Sequence, residues 1–406
     1  MKLKPISGIA LLALATACSG TPAHSTAATP GTGGSATPRI TITPGDGAAS
    51  VRPDQHIVVT SDHGTLTKVT VRSKDRTVDG ELSADRTTWR GKWTLTPGAA
   101  YNVSATASAS GGKTTTVAGR FQAAKARSGL AITSIVPNRA ETVGIGMPII
   151  ITFDRTVTDK AAVERALEVR SSRRHEGSWY WTTAYGAQQA IFRLNGYWRA
   201  HEKVTVTAHL AGVKTGAGTY GTADVTHPFT IGDVHTVTVN AKTDRAVAKS
   251  NGKTVRTWGV SLGTGGAVRS DGVDHLLTTS GIHLTMDKEN PTHMDSRWAG
   301  IDPKDTAHGG YSEDVPWATR ISNTGEYIHQ NTDDPTCLGN RNCSHGCVRS
   351  PGDAAKWFYG WSYRGDVVTI TGTARQLDWS NGWGFYQMPW KKWVKGSALG
   401  RPASTG

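Results

Sequence analysis

Three of the four cysteines in this chain lie within eleven residues, with a histidine among them. They are Cys337, Cys343 and Cys347, and the histidine is His345. Cysteine and histidine are the side chains that most often bind structural zinc. Cysteine also forms disulfides, and its thiolate is a nucleophile. The segment therefore indicates a metal site, a cross-link or a reactive thiol, and the compartment of the protein bears on the choice.

The N-terminus has the features of an export signal. Lys2 and Lys4 precede a short apolar run, and small residues follow at 15–17, which predicts residues 1–17 as a signal peptide. The apolar run is too short for a stable membrane span. Cleavage there would leave Cys18 first, as in the lipobox of bacterial lipoproteins, so we predict that Cys18 is lipidated. A secreted protein that merely begins with cysteine is the alternative.

Residues 18–37 are rich in Ser, Gly, Thr, Pro and Ala and predict a flexible linker. The formal net charge of +13 favours an anionic neighbour, such as a cell-wall polymer or anionic lipid. The alternative is that the charge only aids solubility. Nucleic acid is not expected as a partner, because no basic recognition helix or aromatic-basic motif is present.

The remaining chain predicts a mainly β protein in three blocks and a tail. The first block (38–125) and the second block (126–232) contain short alternating strands bounded by Gly, Pro, Asp or Ser, which is typical of immunoglobulin-like β-sandwich modules. One helix is expected from Asp159 in the second block.

The third block (233–372) continues the β pattern, with a hairpin turn at Asn251-Gly252. A short helix is expected after Cys347, because Pro351 and Asp353 suit a first helical turn. The C-terminal tail (373–406) is rich in tryptophan. We expect Trp379, Trp383, Trp390 and Trp393 to pack the tail onto the third block.

The cysteine spacing disfavours zinc. The gaps are C-x5-C and C-x3-C, whereas structural zinc sites use paired C-x2-C, and an oxidising compartment works against free zinc thiolates. No metal and no cofactor is therefore predicted. Three neighbouring cysteines are an odd number, so disulfide pairing leaves one thiol over, and an unpaired cysteine in an exported protein is a candidate reactive thiol.

The cluster and a histidine before it resemble the signature of the L,D-transpeptidases, whose catalytic domain is of the YkuD type. The matching residues are His329 and then Ser344-His345-Gly346-Cys347-Val348-Arg349. The stretches "VRTWGVSLGTGG" and "TTSGIH", and the tryptophan-rich tail, also resemble the subgroup that carries immunoglobulin-like modules. The resemblance covers residues 38 to about 396 and is strongest from 234 onward.

The resemblance implies an acyltransferase that acts on peptidoglycan. Such an enzyme cuts a tetrapeptide stem before its terminal D-Ala, holds the stem as a cysteine thioester, and passes it to an amine on another stem. The product is a 3→3 cross-link. Its partners are then donor and acceptor stem peptides, carbapenem-type β-lactams as inhibitors, and the membrane through the lipid anchor.

The resemblance also assigns roles to residues. Cys347 is the expected nucleophile and His329 the proton acceptor and donor. His345 is expected to orient the loop. Gly346 leaves room for the peptide, and backbone N–H groups of residues 345–347 are expected to hold the oxyanion. Substrate contacts are expected from Tyr311, Thr324, Gly325, Ser344, Arg349 and Met294, with a mobile flap over "HGGYSED". With Cys347 kept free, a disulfide is expected between Cys337 and Cys343.

Two other functions use the same features. A cysteine endopeptidase would hydrolyse stem peptides with the same Cys347–His329 pair. A wall-binding spacer would need only the sandwich modules and the positive charge. Since every matched catalytic position lies after residue 233, we also expect residues 234–396 to fold and act without the modules.

Overall fold

The computed structural model describes residues 36–406 except 75, 267, 269 and 307–309. The predicted signal peptide, Cys18 and most of the linker lie outside the described residues. Among the described residues, no helix has the length and apolar character needed to cross a membrane. The chain is mainly β, which confirms the predicted fold class.

The first block is a sandwich of two four-stranded sheets. Alternate residues of both sheets, such as Val59, Val71 and Phe121, are buried between them. The strands are β1 (Arg39–Thr43), β2 (Val58–Asp62), β3 (Thr65–Ser73), β4 (Arg76–Thr77), β5 (Gly80–Leu82), β6 (Thr88–Gly91), β7 (Ala100–Ser108) and β8 (Thr114–Gln122). Their orders in the two sheets are β1-β2-β6-β5 and β4-β3-β7-β8.

The second block has eleven strands and the predicted short helix. Asp159 caps α1 (Lys160–Arg165), because its carboxylate accepts the Ala162 N–H at 2.9 Å. The helix is shorter than the sequence predicts, since Leu167 already begins a buried strand. The strands are β9 (Ser128–Leu130), β10 (Ile132–Val136), β11 (Thr142–Val143), β12 (Ile149–Phe153), β13 (Leu167–Ser171), β14 (Glu176–Ala184), β15 (Ala187–Leu194), β16 (Lys203–Ala208), β17 (Lys214–Gly216), β18 (Thr219–Gly221) and β19 (Val225–Ile231).

The third block packs two sheets and a helix around its own core. Asn251 and Gly252 both have positive φ, as the predicted hairpin turn requires. The helix α2 (Gly352–Trp361) begins after Pro351 and buries Ala354 and Phe358. The strands are β20 (His235–Asn240), β21 (Arg245–Ser250), β22 (Lys253–Gly259), β23 (Gly281–Leu284), β24 (Lys288–Glu289), β25 (Thr292–Asp295), β26 (Ser312–Val315), β27 (Ala318–Arg320), β28 (Tyr327–Gln330), β29 (Val348–Ser350) and β30 (Val367–Thr371).

The sheets of the third block have the orders β22-β21-β20-β30-β23 and β24-β27-β28-β29, and β25 pairs with β26 as a hairpin. The tail adds α3 (Trp390–Val394) and β31 (Ala403–Ser404). Strand β31 pairs with β14, so the tail completes a sheet of the second block with the order β10-β12-β15-β14-β31. The other sheets of that block are β11-β19-β16-β13 and β17-β18-β9.

The second block, the third block and the tail share one hydrophobic core. It joins residues such as Phe192 of the second block to Leu284 of the third and Trp393 of the tail. Backbone contacts also cross the boundary: Gly144 N–H donates to Arg364 O at 2.7 Å. A Cβ on Gly144 would lie 2.3 Å from Asp366 N, so only glycine permits this approach.

This shared core argues against independent folding of residues 234–396. Removing the second block would expose the apolar surface that the third block and the tail bury against it. Independent folding of residues 234–396 stays a prediction: it was made from the candidate catalytic positions alone, whereas contacts that hold the third block also lie in this shared core.

The tryptophans of the tail pack mainly on the second block, contrary to expectation. Trp393 is fully buried, donates its indole N–H to Ser178 O at 2.9 Å and stacks on Tyr180. Trp379 meets the same tyrosine edge-on. Buried Arg193 lies over the rings of Tyr386, Trp390 and Trp393. Trp383 contacts Arg364 of the third block.

We predict that Trp393→Ala lowers the free energy of unfolding by about 3–5 kcal/mol, because it leaves a cavity and an unpaired Ser178 carbonyl. Chemical denaturation followed by intrinsic fluorescence measures the change. Tyr185→Ala is the matched control, since Tyr185 is 83% exposed in a turn of the second block, on which Trp393 packs. This variant should lower the free energy of unfolding by no more than about 0.5 kcal/mol. A loss below 1 kcal/mol for Trp393→Ala would show that the tail does not stabilise the fold.

Candidate active site

Two neighbouring parallel strands position the candidate thiol and imidazole. In the register of β28 and β29, Ile328 lies beside Val348 and His329 beside Arg349. Ile328 and Val348 point into the core of the third block. Because successive side chains of a strand alternate in direction, His329 and Arg349 project from the opposite face. Cys347 directly precedes β29, and its thiol contacts Gly325, two residues before β28.

The Cys347 sulfur contacts two backbone groups at the start of β28, one from Gly325 before the strand and one from Tyr327, its first residue. The thiol donates to Gly325 O at 3.4 Å, and the Tyr327 N–H donates to the sulfur. Burial raises the pKa of the Cys347 thiol to about 12, although the Tyr327 hydrogen bond opposes the rise. The resting cysteine is therefore a protonated thiol, and attack on a carbonyl requires a base.

His329 can act as that base. Its side chain is buried, and its Nδ1–H donates to the Gln330 carbonyl at 2.6 Å, which leaves Nε2 as the proton acceptor. Burial lowers the pKa of His329 to about 4, and nearby Arg349 lowers it further while the Gln330 carbonyl raises it. The imidazole is therefore neutral at physiological pH. The sequence analysis missed Gln330, because the group that accepts the His329 hydrogen bond is its backbone carbonyl and not its side chain.

The Ser344–Gly346 turn fixes the backbone before the thiol. The Ser344 hydroxyl donates to Cys347 O at 2.6 Å and accepts the Gly346 N–H at 3.1 Å. Gly346 has φ +130°, and a Cβ there would meet nothing closer than 3.9 Å, so backbone conformation and not crowding requires glycine. Ser344 was expected to contact substrate, but its hydroxyl is used within the turn. The Gly346 N–H is bonded to the Ser344 hydroxyl. Of the three N–H groups expected to hold the oxyanion, those of His345 and Cys347 therefore remain as candidates.

The predicted Cys337–Cys343 disulfide is confirmed, with a Cα–Cα distance of 6.2 Å, and Cys347 is the free cysteine of the described residues. The segment between the bridge and the thiol is bound to the third block: Cys343 N–H donates to Ser261 Oγ at 2.9 Å, and Ser344 N–H to Leu262 O at 2.8 Å. The two bridged cysteines are bonded to each other and offer no thiolates to a metal.

The remaining predicted residues surround this centre to different degrees. Arg349 is buried and forms an ion pair with Asp333 at 2.8 Å, so it is not an ordinary surface charge. The Tyr311 ring stacks on His345 at 4.5 Å between centroids. Met294 lies on the same hairpin as Tyr311, paired with Glu313, and does not line the cavity beside the thiol. The start of the "HGGYSED" flap, at 308–309, lies outside the described residues.

A cavity of about 30 Å³ lies beside the thiol. The predicted residues that line it are Tyr311, Thr324, Gly325, His345, Gly346 and Cys347. Three lining residues were missed by the sequence analysis: His275, Glu326 and Arg375. Glu326 directly follows the expected substrate residues Thr324 and Gly325, whereas His275 and Arg375 lie far from the motif in sequence and are brought to the thiol only by the fold.

Buried Glu326 holds the segment that contacts the sulfur. Its carboxylate accepts the Thr279 N–H at 2.6 Å and the Thr279 hydroxyl at 2.8 Å, and it lies 3.7 Å from His283 Nε2. Burial alone would raise the pKa of Glu326, but the nearby His283 imidazole and the hydrogen bonds from Thr279 keep that pKa below its usual value. A charged, fully bonded carboxylate therefore fixes residues 325–327, whose backbone binds the thiol.

Two segments of the chain match known protein families. Residues 48–214 match the bacterial Ig domain family in one match that runs across the first and second blocks. Residues 235–370 match the L,D-transpeptidase catalytic domain. These matches fall on the sandwich sheets and on the block that contains Cys347 and His329.

Curated relatives extend the similarity over most of the chain. The chain is 32% identical over 366 residues to L,D-transpeptidase 2 of Mycobacterium tuberculosis, across 89% of this chain and 85% of the relative. It is 32% identical over 383 residues to L,D-transpeptidase 5 of that species, across 90% of this chain and 78% of the relative. A solved L,D-transpeptidase in complex with imipenem covers 59% of this chain and 99% of its own, at 26% identity and a TM-score of 0.48.

We predict that iodoacetamide alkylates Cys347 slowly at neutral pH and that the rate still rises at about pH 10. Because burial raises the pKa of the thiol to about 12, the reactive thiolate fraction grows about tenfold per pH unit up to that value. Peptide mass spectrometry at Cys347 measures the rate. The urea-unfolded protein is the control, and its rate should level off near the ordinary thiol pKa of about 8.5. A plateau between about pH 7 and 9 in the folded protein would contradict the burial argument.

We also predict that the double variant Cys337→Ser/Cys343→Ser loses about 2 kcal/mol of folding free energy, because a short loop is no longer closed in the unfolded chain. Urea denaturation measures the loss. Cys347→Ser removes a cysteine without removing a cross-link and serves as the control. Equal stability of the double variant and this control would refute a stabilising role for the bridge.

Proposed function

Because this chain belongs to the L,D-transpeptidase family, we propose that it forms 3→3 cross-links in peptidoglycan through a thioester on Cys347. The single observation that carries the proposal is the pairing of β28 with β29, which brings His329 beside Arg349, two residues after Cys347. The donor is a tetrapeptide stem, and the acceptor is the side-chain amine of a second stem.

In the acylation half, the Cys347 sulfur attacks the carbonyl of the third stem residue while His329 Nε2 takes the thiol proton. The negative charge passes to the carbonyl oxygen, which the N–H groups of His345 and Cys347 stabilise. Removing one such donor in other enzymes costs roughly 10²–10³ in rate. The C–N bond then breaks, and His329 returns its proton to the amine of the departing D-Ala.

In the transfer half, the acceptor amine attacks the thioester and gives a proton to His329, which returns it to the Cys347 sulfur. A new amide forms, and the free thiol is restored. A positioned amine outcompetes water because binding supplies its orientation in advance. A cysteine endopeptidase would follow the same first half and end with hydrolysis, so the fate of the acyl group separates the two functions.

The resting state supports a general-base mechanism over a standing thiolate–imidazolium pair. The pKa of Cys347 is raised and that of His329 is lowered, and both shifts favour the neutral pair. The proton therefore moves as the sulfur attacks. A β-lactam presents a strained amide to the same thiol, so we propose that carbapenems acylate Cys347 and inhibit the enzyme.

We place the enzyme at the outer face of the cytoplasmic membrane. This rests on the signal-like residues 1–17, the proposed lipidation of Cys18 and the linker, all from the sequence. The net charge of +13 favours an anionic surrounding polymer. Mass spectrometry of the mature N-terminus tests this: a diacylglyceryl-modified Cys18 supports it, and an unmodified N-terminus refutes the anchor.

We predict that Cys347→Ser and His329→Ala abolish 3→3 dimer formation from purified tetrapeptide stems, read by mass. Cys347→Ser removes the thioester, and His329→Ala removes proton transfer, a loss of about 10²–10⁴-fold by itself. His63→Asn, in an exposed positive-φ turn of the first block where asparagine is tolerated, is the matched histidine control and keeps full activity.

Near-wild-type dimer formation by either active-site variant would overturn the assignment. Release of D-Ala by the wild-type enzyme without any amine-linked product would make the protein a hydrolase instead. A carbapenem adduct on wild-type Cys347, absent from Cys347→Ser, identifies the acylated atom independently of the natural substrate.

A further inference from the structure

The outer faces of the two sheets in the first block differ in charge. On the β1-β2-β6-β5 sheet, Arg39 lies directly opposite Asp62, and Arg90 lies opposite Glu81. Directly opposed residues of a sheet project on the same side, so each arginine has an acid beside it, and we call this the balanced face. The long strands of the other sheet, β3, β7 and β8, contain neither aspartate nor glutamate. Their outer side is called the cationic face.

Two arginines lie in one row across the cationic face. Arg72 of β3 is opposite Asn102 of β7, and Asn102 is opposite Arg120 of β8. The neighbouring Val103 is buried in the sandwich core, and successive side chains of a strand alternate in direction, so this row projects outward. Neighbouring strands lie about 4.8 Å apart, which places the Arg72 and Arg120 Cα atoms roughly 10 Å from each other. Within the described ranges, neither guanidinium group forms an ion pair.

Short side chains beside the arginine row leave a depression of about 390 Å³. Thr70, Ser104 and Ala118 form the next row across the same three strands, and they line the depression together with Asn102 and the two arginines. Guanidinium, amide and hydroxyl groups all donate hydrogen bonds. Asp46 is the acid in this lining, and its carboxylate accepts a backbone N–H of β8 at 2.7 Å. The depression therefore suits an anionic ligand that also carries polar groups.

We propose that this depression binds the peptidoglycan polymer, with a stem-peptide carboxylate held between Arg72 and Arg120. Planar guanidinium groups match carboxylates in bidentate geometry. The Asn102 amide and the Thr70 and Ser104 hydroxyls both donate and accept, so they can pair with peptide amides and sugar hydroxyls beside the carboxylate. The choice of polymer rests on the proposed function, which makes peptidoglycan the substrate of the third block.

The depression lies far from the point where the linker joins the first block. Pro38 follows the linker, and a Cβ on Gly64 would lie 2.9 Å from Pro38 Cγ and 2.8 Å from Ser108 O, so the linker joins at that end of β7. Asn102 lies six positions before Ser108 in β7, roughly 20 Å along the strand. A chain tethered through its linker therefore meets lipid headgroups first with the other end of the sheet. This placement favours a wall polymer over a membrane as the occupant.

A polymer suits a site made of exposed arginines. Exposed ion pairs are individually weak and are screened by salt. A polymer offers many carboxylates in one chain, so a second contact forms at a high effective concentration once the first has formed. The first block then stays on the polymer while individual units exchange, which keeps the third block close to new stems.

Co-sedimentation of the full chain with insoluble peptidoglycan, stripped of phosphate-containing polymers, tests the proposal. The test variant is Arg72→Gln/Arg120→Gln. The matched control is Arg39→Gln/Arg90→Gln, which removes the same number of charges from the balanced face of the same block. We expect the test variant to bind at least about fivefold more weakly than wild type, and the control to stay within about twofold, at the same salt concentration.

Filling the depression is a second test that leaves the net charge unchanged. Ser104 is exposed in the depression, and Thr41 is exposed on the balanced face. Tryptophan suits strand positions, so we expect Ser104→Trp and its control Thr41→Trp both to fold, which a cooperative thermal melt checks. Ser104→Trp should weaken binding as much as the double arginine test variant does, and Thr41→Trp should leave it unchanged. If one test variant fails to fold, the other decides.

Equal weakening by the two double arginine variants would show attraction by net charge alone and overturn the site. Unchanged binding by the folded test variants would overturn it too. Wild-type binding that requires the phosphate-containing polymers, or binding to anionic lipid vesicles and not to stripped peptidoglycan, would overturn the choice of ligand. A wild-type chain that binds stripped peptidoglycan through the arginines but forms no 3→3 dimers from soluble stems would instead contradict the proposed function, so the two failures are distinguishable.

Discussion

The parallel pairing of β28 with β29 is the constraint on which the rest of the active site depends. It fixes His329 beside Arg349 and brings Cys347, which directly precedes β29, close to the start of β28. A slip of one residue in either strand would turn a reactive side chain into the core and a core residue into the cleft. Parallel neighbours also need a long crossover connection. Here the crossover carries the disulfide and the Ser344 turn, so the segment that the topology requires also shapes the approach to the thiol.

Burial sets the chemistry of the pair. The same low-polarity surroundings that raise the pKa of Cys347 lower that of His329, so neither side chain is charged before substrate arrives. Charge is held instead one layer away, in the Glu326 carboxylate and the Arg349–Asp333 ion pair. Glu326 fixes the backbone that binds the sulfur, and Arg349 disfavours a proton on His329. The site is therefore organised by fixed charges around a neutral reactive centre.

The sequence predicted the parts of the site that depend on residue type. A thiol at 347, an imidazole at 329 and a glycine at 346 are required by chemistry or by backbone conformation, and so they leave a readable pattern. The Asn251-Gly252 hairpin and the Asp159 cap are local and readable for the same reason. The Gln330 carbonyl leaves no such trace, because every residue has one. His275 and Arg375 reach the site only through tertiary packing, and the contacts between the third block and the second lie in a core that no local pattern describes.

The pairing of β31 with β14 has a consequence for the order of events in folding. About 230 residues separate Ser404 from His175 and Arg174, which it and its neighbour Thr405 contact. The second block therefore begins near residue 126 but cannot complete its edge until Ala403 and Ser404 have emerged. Contacts between residues so far apart in sequence are slow to form, because closing the long loop costs conformational entropy before the contact stabilises it. Until then the edge of β14 that pairs with β31 stays open, and the arrival of Ala403 and Ser404 closes the sheet.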